Sequence, residues 1–149
     1  MVRQACWHSS RRVGTENVEI VRSAFAAFEQ RDAEALIAVC SPDVVFEPVT
    51  ARIAAGGEPY RGHAGMRRYL EDVARVWQEL RPAPDRWHEG EGGIVVATGR
   101  VYAWGIGRVI DSPAGWLWRI DGGRIAYGRI FGTATGALEA AGLDPADAA

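Results

Sequence analysis

The stretch that decides the fold is Val44-Val45-Phe46-Glu47-Pro48-Val49, a short run of β-branched and aromatic residues that contains one carboxylate. Such a run predicts a β-strand, and the proline near its end indicates where the strand stops. Two helical patterns precede it, and a loop, a long amphipathic helix and a series of strands follow it. If the Glu47 side chain points inward, the rest of the chain builds an apolar pocket around an acid group.

The composition is that of a single globular domain. The chain has 149 residues and a net charge of −2, with charges of both signs spread along the sequence. We therefore expect no nucleic-acid partner, because nucleic-acid binding requires a basic patch. No apolar run approaches the roughly 18 residues of a membrane span, so we also expect no membrane partner. Cys6 and Cys40 are too few for a disulfide framework, which makes a cytoplasmic location the default expectation.

Two helices are predicted before the strand. Residues at spacings of three and four form the apolar stripe of the first helix, namely Val18, Val21, Phe25 and Phe28. Thr15 is its predicted N-cap, and Asp32 is the predicted cap of a second, short helix that ends at Ser41-Pro42-Asp43. Residues 1–14 show no periodicity and are predicted to be a flexible tail. The domain is therefore expected to span residues 15–143, with residues 144–149 as a C-terminal tail.

The longest helix is predicted after a loop at residues 50–59. Its apolar face repeats every three or four residues and consists of Met66, Tyr69, Leu70, Val73, Val76, Trp77 and Leu80. Pro82 and Pro84 are expected to end this helix, because proline lacks the N–H that a helix interior needs.

From Trp87 onward the pattern is that of strands. Strands are predicted at residues 94–106, 109–111, 115–120 and 125–131, with a hairpin turn at Asp121-Gly122-Gly123-Arg124. A small helix from Thr133 to Ala141 follows. This order predicts an α+β fold, namely a cone-shaped, strongly bent, mostly antiparallel sheet with helices packed on its concave face. A ligand would sit at the mouth of the cone.

The order of elements and five motifs resemble the SnoaL-like branch of the nuclear transport factor two-like superfamily. The motifs are Phe25-Ala26-Ala27-Phe28-Glu29-Gln30-Arg31-Asp32, Ser41-Pro42-Asp43-Val44-Val45-Phe46-Glu47-Pro48, Tyr60-Arg61-Gly62-His63-Ala64-Gly65, Trp118-Arg119-Ile120-Asp121-Gly122-Gly123-Arg124-Ile125 and Leu138-Glu139-Ala140-Ala141-Gly142-Leu143. Together they cover residues 16–143. The resemblance implies the fold and leaves the reaction open, because this superfamily hosts isomerases, cyclases, epoxide hydrolases, dehydratases and non-catalytic binders.

Glu47 is the first candidate for chemistry. In ketosteroid isomerase, a relative, an Asp-Pro at this strand position supplies the general base, and Glu47-Pro48 matches that dipeptide with a longer acid. A carboxylate held among aromatic side chains suits general acid–base catalysis. The alternative is that Glu47 is exposed at a strand end or is an inward polar group without a catalytic role.

The resemblance to ketosteroid isomerase is incomplete at the oxyanion hole. That enzyme uses a Tyr and a neutral Asp, whose positions fall here at Ala24 and at about Gly115. Neither residue has a side chain that donates a hydrogen bond, so a faithful ketosteroid isomerase is not expected. For proton transfer on another substrate, the replacement donor would be Tyr60, Tyr102 or Tyr127.

Other relatives suggest Asp111 and Arg129. Polyketide cyclases of the SnoaL type use an acid from the C-terminal strands, although Asp111-Ser112-Pro113 has the composition of an ordinary turn. Limonene epoxide hydrolase uses an Asp–Arg–Asp set, of which this chain offers one acid and Arg129, and a one-residue register shift would turn Arg129 outward. His63 and His88 have no metal-ligand spacing, so neither a metal nor another cofactor is predicted.

The aromatic residues are the predicted walls of a hydrophobic pocket. Trp116 and Trp118 share one face of a strand because side chains alternate along it. The predicted ligand-binding residues are Phe46, Tyr60, Trp77, Tyr102, Trp104, Trp116, Trp118 and Arg129. Each Trp can equally pack in a dimer interface, because the resemblance implies a homodimer formed through the outer face of the sheet.

Two hypotheses about function follow. In the first, a central pocket binds a small apolar or polycyclic molecule and Glu47 catalyses isomerisation, cyclisation or hydration. In the second, the chain is a non-catalytic ligand-binding or dimerisation module of the same fold. An inward acid favours the first hypothesis, and the missing oxyanion donors favour the second.

Overall fold

The computed structural model describes residues 2–48, 56–105 and 107–148, with side chains from residue 16 to residue 146 of these ranges. Its elements are α1 (Val2–Glu29), α2 (Ala33–Ala38), β1 (Cys40–Glu47), β2 (Tyr60–Arg61), α3 (Gly62–Val76), β3 (Glu79–Glu89), β4 (Ile94–Gly105), β5 (Arg108–Asp121), β6 (Arg124–Phe131) and α4 (Ala134–Ala140). Short 3₁₀ helices lie at Glu91–Gly93 and Pro145–Ala148. Across these ranges, no helix combines the length and apolar character needed to cross a membrane.

The strands form one curved, unclosed sheet in the order β2-β1-β6-β5-β4-β3. Strands β3 to β6 form an antiparallel meander, and β1 pairs with β6 in parallel. The predicted α+β fold with a bent, mostly antiparallel sheet is therefore confirmed.

The sheet has two covered faces. The inner face carries Phe46, Trp116 and Trp118, and α1, α2 and α3 pack over it to form the main hydrophobic core. The outer face carries Val96 and Leu117, and the short helix α4 covers part of it through Ala137 and Leu138. A site between the helices and the inner face is therefore walled by the core, whereas a site on the outer face is partly open.

The end of the long helix differs from the prediction. α3 ends at Val76, Trp77 has extended backbone angles (φ −117°, ψ 132°), and the residues from Glu79 to Glu89 form β3. Pro82 and Pro84 therefore lie in a strand. Prolines are tolerated there because β3 is an edge strand: among the described strands it pairs with β4 alone, so the missing N–H groups need no partner on the other side.

A second difference concerns the predicted turn at Asp111-Ser112-Pro113. β5 runs without interruption from Arg108 to Asp121, and Asp111 pairs with Tyr102 of β4. The proline is accommodated because the pairing of β5 with β6 stops at Gly115, so beyond it β5 has a neighbour on one side only within the described residues.

The ends of the remaining elements give a mixed result. Asp32 caps α2 with its side chain, as predicted, and Thr133 caps α4 in the same way. The hairpin turn contains two glycines with positive φ, Gly122 and Gly123. Thr15 does not begin the first helix, because α1 starts at Val2. The predictions that residues 1–14 are a flexible tail and that residues 144–149 are a C-terminal tail stay predictions. The predicted loop at residues 50–59 lies largely outside the described residues.

Candidate functional site

A cavity of about 50 Å³ lies between the inner face of the sheet and helices α1, α2 and α3. We call it the central cavity. None of the described residues that line it is charged. They are Ala24, Phe25, Phe28, Leu36, Phe46, Met66, Tyr69, Leu80, Pro82, Val101, Trp116, Trp118 and Ile130. Its surface therefore suits an apolar molecule, because an ion would lose its hydration without gaining a partner.

Aromatic contacts fix the shape of the central cavity. The Phe25 ring of α1 meets Trp116 and Trp118 edge-on, with ring centroids 5.3 and 5.7 Å apart. On the sheet, Phe46 stacks on Trp118 at a centroid distance of 5.6 Å and an interplanar angle of 13°. The indole of Trp118 in turn lies over the backbone of Gly128, where a side chain would not fit. These contacts hold the rings in one arrangement.

Two of the residues that line the central cavity carry a polar group. The first is Tyr69, whose pKa is raised by burial, so its hydroxyl stays protonated at physiological pH and acts as a hydrogen-bond donor. The second is the indole nitrogen of Trp118, which is buried and has no hydrogen-bond partner among the described residues. The described wall residues are therefore mostly apolar and include no carboxylate.

The predicted ligand-binding residues divide into three groups in the structure. Phe46, Trp116 and Trp118 line the central cavity. Tyr60 and Trp77 are buried in the same core and are not part of the cavity wall. The remaining three, Tyr102, Trp104 and Arg129, lie on the outer face. Tyr102 and Trp104 alternate with inward residues of β4. Arg129 pairs with Leu117, which lies on the outer face, and paired residues share one face of a sheet.

Glu47 is not among the residues that line the central cavity. Since Phe46 points inward, the next residue along β1 points to the outer face. There Glu47 accepts a hydrogen bond from the Tyr127 hydroxyl, and Arg129 is its neighbour on β6. Burial, and then this hydrogen bond, raise the pKa of Tyr127. The catalytic role of Glu47 stays a prediction, and its position separates it from the cavity.

An outer groove of about 290 Å³ lies beside this pair, between the outer face and α4. It is lined by Ile94, Leu117, Arg119, Tyr127, Arg129, Phe131 and Ala140. The guanidinium of Arg129 lies 4.7 Å from the centre of the Phe131 ring. The groove therefore combines apolar surface with two cationic side chains, in contrast to the uncharged central cavity.

Asp111 and Gly115 also face away from the central cavity. Asp111 is exposed and accepts hydrogen bonds from Arg100 at 2.9 and 3.0 Å, a surface pair that contributes little to stability. A Cβ built on Gly115 would approach the Ala137 side chain of α4 at 2.6 Å. Gly115, which matches the oxyanion Asp of ketosteroid isomerase, therefore faces α4. Ala24, which matches the oxyanion Tyr, lines the cavity, and its side chain cannot donate a hydrogen bond.

A buried carboxylate was missed by the sequence analysis. Asp72 of α3 is 2% exposed and accepts a hydrogen bond of 2.6 Å from the Tyr60 hydroxyl and another from Arg75. Burial and then this bond raise the pKa of Tyr60. The available signal is its spacing, since Asp72 lies three residues after Tyr69 and four before Val76 of the apolar stripe. Because its partners satisfy it, Asp72 fastens β2 to α3.

Cys40 and the described histidines offer no reactive or metal-binding centre. Burial raises the pKa of the Cys40 thiol to about 11, so it is protonated and a poor nucleophile at neutral pH. His63 hydrogen-bonds through Nε2 to the backbone oxygen of Cys40 at 3.0 Å. Throughout the described ranges, no three His, Cys, Asp or Glu side chains are grouped so that they could hold a metal ion.

Comparisons with known proteins agree with this fold. The family model described as the SnoaL-like domain matches residues 21–128. The chain therefore belongs to the SnoaL-like family. No functionally curated protein sequence matches it.

Solved structures with the same fold are similar at low sequence identity. An NTF2-like protein of unknown function from Burkholderia pseudomallei is 23% identical with a TM-score of 0.70, and the match covers 85% of this chain and 97% of that chain. TerC, co-crystallised with polyporic acid, is 24% identical with the same TM-score and coverage. A putative polyketide cyclase from Pseudomonas putida is 24% identical with a TM-score of 0.64, covering 77% of this chain and 90% of that chain.

Proposed function

We propose that this chain binds a small, predominantly apolar molecule in the central cavity. The observation that carries the proposal is an uncharged, aromatic-lined space in the middle of a well-packed core. Protein interiors normally close such spaces, and those that remain apolar take up apolar ligands. TerC, a protein of the same fold, was crystallised with a small molecule, which supports a ligand role for this architecture.

The size of the central cavity limits the ligand. Its volume of about 50 Å³ is smaller than the roughly 150 Å³ of an engineered cavity that admits benzene. A ring-sized ligand must therefore displace part of the wall. Leu80, Val101 and Ile130 are wall residues suited to move, because they are only partly buried and take no part in the aromatic contacts. A single-ring molecule requires less displacement than a polycyclic one.

The chemistry of the wall favours binding over catalysis. Acid–base catalysis requires a group that exchanges a proton with the ligand, and among the described wall residues only the Tyr69 hydroxyl ionises. Its raised pKa makes it a donor and a poor base. If Glu47 is catalytic instead, its substrate would have to reach the outer groove. The isomerase, cyclase or hydrolase alternative therefore needs a different site from the one we propose.

The proposal can be tested with neutral single-ring compounds such as toluene and cyclohexanone. We expect the melting temperature to rise with ligand concentration, because a ligand that binds only the folded state stabilises it. Ala24→Leu, which adds a side chain inside the cavity, should abolish this rise. The matched control is Ala26→Leu on the exposed side of α1, which should keep it. An unchanged response in Ala24→Leu, or no response in the wild type, would refute binding in the cavity.

A further inference from the structure

The outer groove contains two guanidinium groups that have no carboxylate partner among the described residues. Arg119 of β5 and Arg129 of β6 line the groove, and both are exposed. Neither takes part in a salt bridge with any side chain that the structure describes, whereas Arg100 on the same sheet pairs with Asp111 at 2.9 Å. Both guanidiniums can therefore accept an anion from solution.

The pairing of β5 with β6 brings the two arginines together. Arg119 pairs with Tyr127, and Arg129 follows two positions later on the same face of β6. The two arginines are thus diagonal neighbours, with Cα atoms about 7–8 Å apart. Each guanidinium also lies near an aromatic ring of the groove wall, Arg119 at 5.9 Å from the centre of Tyr127 and Arg129 at 4.7 Å from the centre of Phe131. These contacts restrict both side chains before a ligand arrives.

The charge around the groove is not balanced. Glu47 is the neighbour of Arg129 on β1 and accepts a hydrogen bond from Tyr127, but it is not among the described residues that line the groove. Within this described cluster, two guanidiniums and one carboxylate leave one positive charge in excess. A ligand with a single negative charge neutralises it, and a carboxylate matches the fork of N–H donors that a guanidinium presents.

The rest of the groove surface is apolar. Leu117 is 7% exposed and lies between Ile94 and Phe131, and Ala140 is contributed by α4. The volume of about 290 Å³ exceeds the roughly 150 Å³ of an engineered cavity that admits benzene. An inorganic anion would leave this apolar surface in contact with water, so the best complement carries a ring-sized apolar body beside its charge.

We propose that the outer groove is a second binding site, which takes a small monocarboxylic acid with a single-ring apolar body. Arg119 and Arg129 hold the carboxylate, and the ring lies on Leu117 and Phe131. This inference is independent of the proposed function, because the central cavity lies on the other face of the sheet. A second copy of the chain seated over the empty groove is disfavoured, because it would remove both guanidiniums from water without a counter-charge.

The test compares 3-phenylpropanoate with 3-phenylpropanamide, which has nearly the same size and no charge. We expect the wild type to bind the acid about tenfold more tightly in a calorimetric titration at low salt. Arg119→Gln and Arg129→Gln should each weaken binding of the acid, and the double variant should bring the two affinities to within about twofold. Arg108→Gln is the matched control. It removes one exposed guanidinium at the other end of β5, outside the groove, and should keep both the affinity and the preference.

Methyl signals in NMR spectra locate the ligand without a variant. The acid should shift the signals of Ile94 and Leu117, which line the outer groove, and not those of Leu36 and Met66, which line the central cavity. The inference is overturned if the acid does not bind, if acid and amide bind equally, or if the preference survives the double variant or falls equally in the control. Shifts confined to Leu36 and Met66 would also overturn it. None of these results bears on neutral ligands in the central cavity, which are tested separately.

Discussion

Replacing Gly128 with alanine should disrupt the aromatic floor of the central cavity. The added Cβ would lie 2.6 Å from Trp118 and 2.9 Å from Phe46, whereas carbon atoms in contact are about 3.5–4.0 Å apart. The indole must therefore shift by about 1 Å, which also disturbs its stacking on Phe46. Overpacking of this kind costs about 1–3 kcal/mol, and a lost aromatic pair adds about 1 kcal/mol.

We expect Gly128→Ala to lower the free energy of unfolding by about 3 kcal/mol, measured by urea denaturation followed by circular dichroism. For a chain of this length, that corresponds to a fall of about 6–12 °C in melting temperature. Gly132→Ala is the control, because no atom lies within 4 Å of its built Cβ and its φ is not positive. It should be neutral or stabilise by up to about 1 kcal/mol through the unfolded chain.

A double variant separates this clash from a general effect of alanine. Trp118→Phe removes the ring atoms that the new Cβ would meet, so adding it to Gly128→Ala should recover part of the lost stability. The two changes should couple by about 1 kcal/mol or more. If Gly128→Ala costs less than about 0.5 kcal/mol, or if the two effects simply add, the indole does not rest on Gly128 as described.

Four further outcomes are expected. Tyr60→Phe should destabilise the fold by about 1–3 kcal/mol in urea denaturation, because Asp72 stays buried with one donor fewer; a neutral effect would contradict the role of this pair. Because the pKa of the Cys40 thiol is raised from 9.0 to about 11, the folded state holds this proton longer than the unfolded state does. Stability should therefore be full below pH 9 and fall by about 2–3 kcal/mol as the pH rises through 11, a fall that Cys40→Ala should reduce. Glu47→Gln should leave affinity for the central cavity unchanged; lost turnover of a substrate would support its catalytic role, and lost affinity would contradict its outer-face position. The chain should form a homodimer that buries about 1,200 Å² or more, and a mass of one chain by light scattering at micromolar concentration would refute this.

The sequence by itself determined most of the element types and the family. Spacings of three and four predicted the helices over the inner face, and the alternation of Trp116 and Trp118 correctly assigned both to one face. The capping residue Asp32 was also identified, because a cap depends on neighbours within one turn. Such features are local, so the chain encodes them without reference to distant residues.

Only the tertiary structure decided which face each strand residue occupies and where the polar groups find partners. Glu47 follows the inward Phe46 by one position, and that single step places it beside Tyr127, 80 positions further along the chain. The prolines of β3 fit a strand because that strand lies at the sheet edge, which no local pattern reveals. The indole of Trp118 is likewise buried because residues from α1, β1 and β6 surround it, and only folding brings these distant residues together.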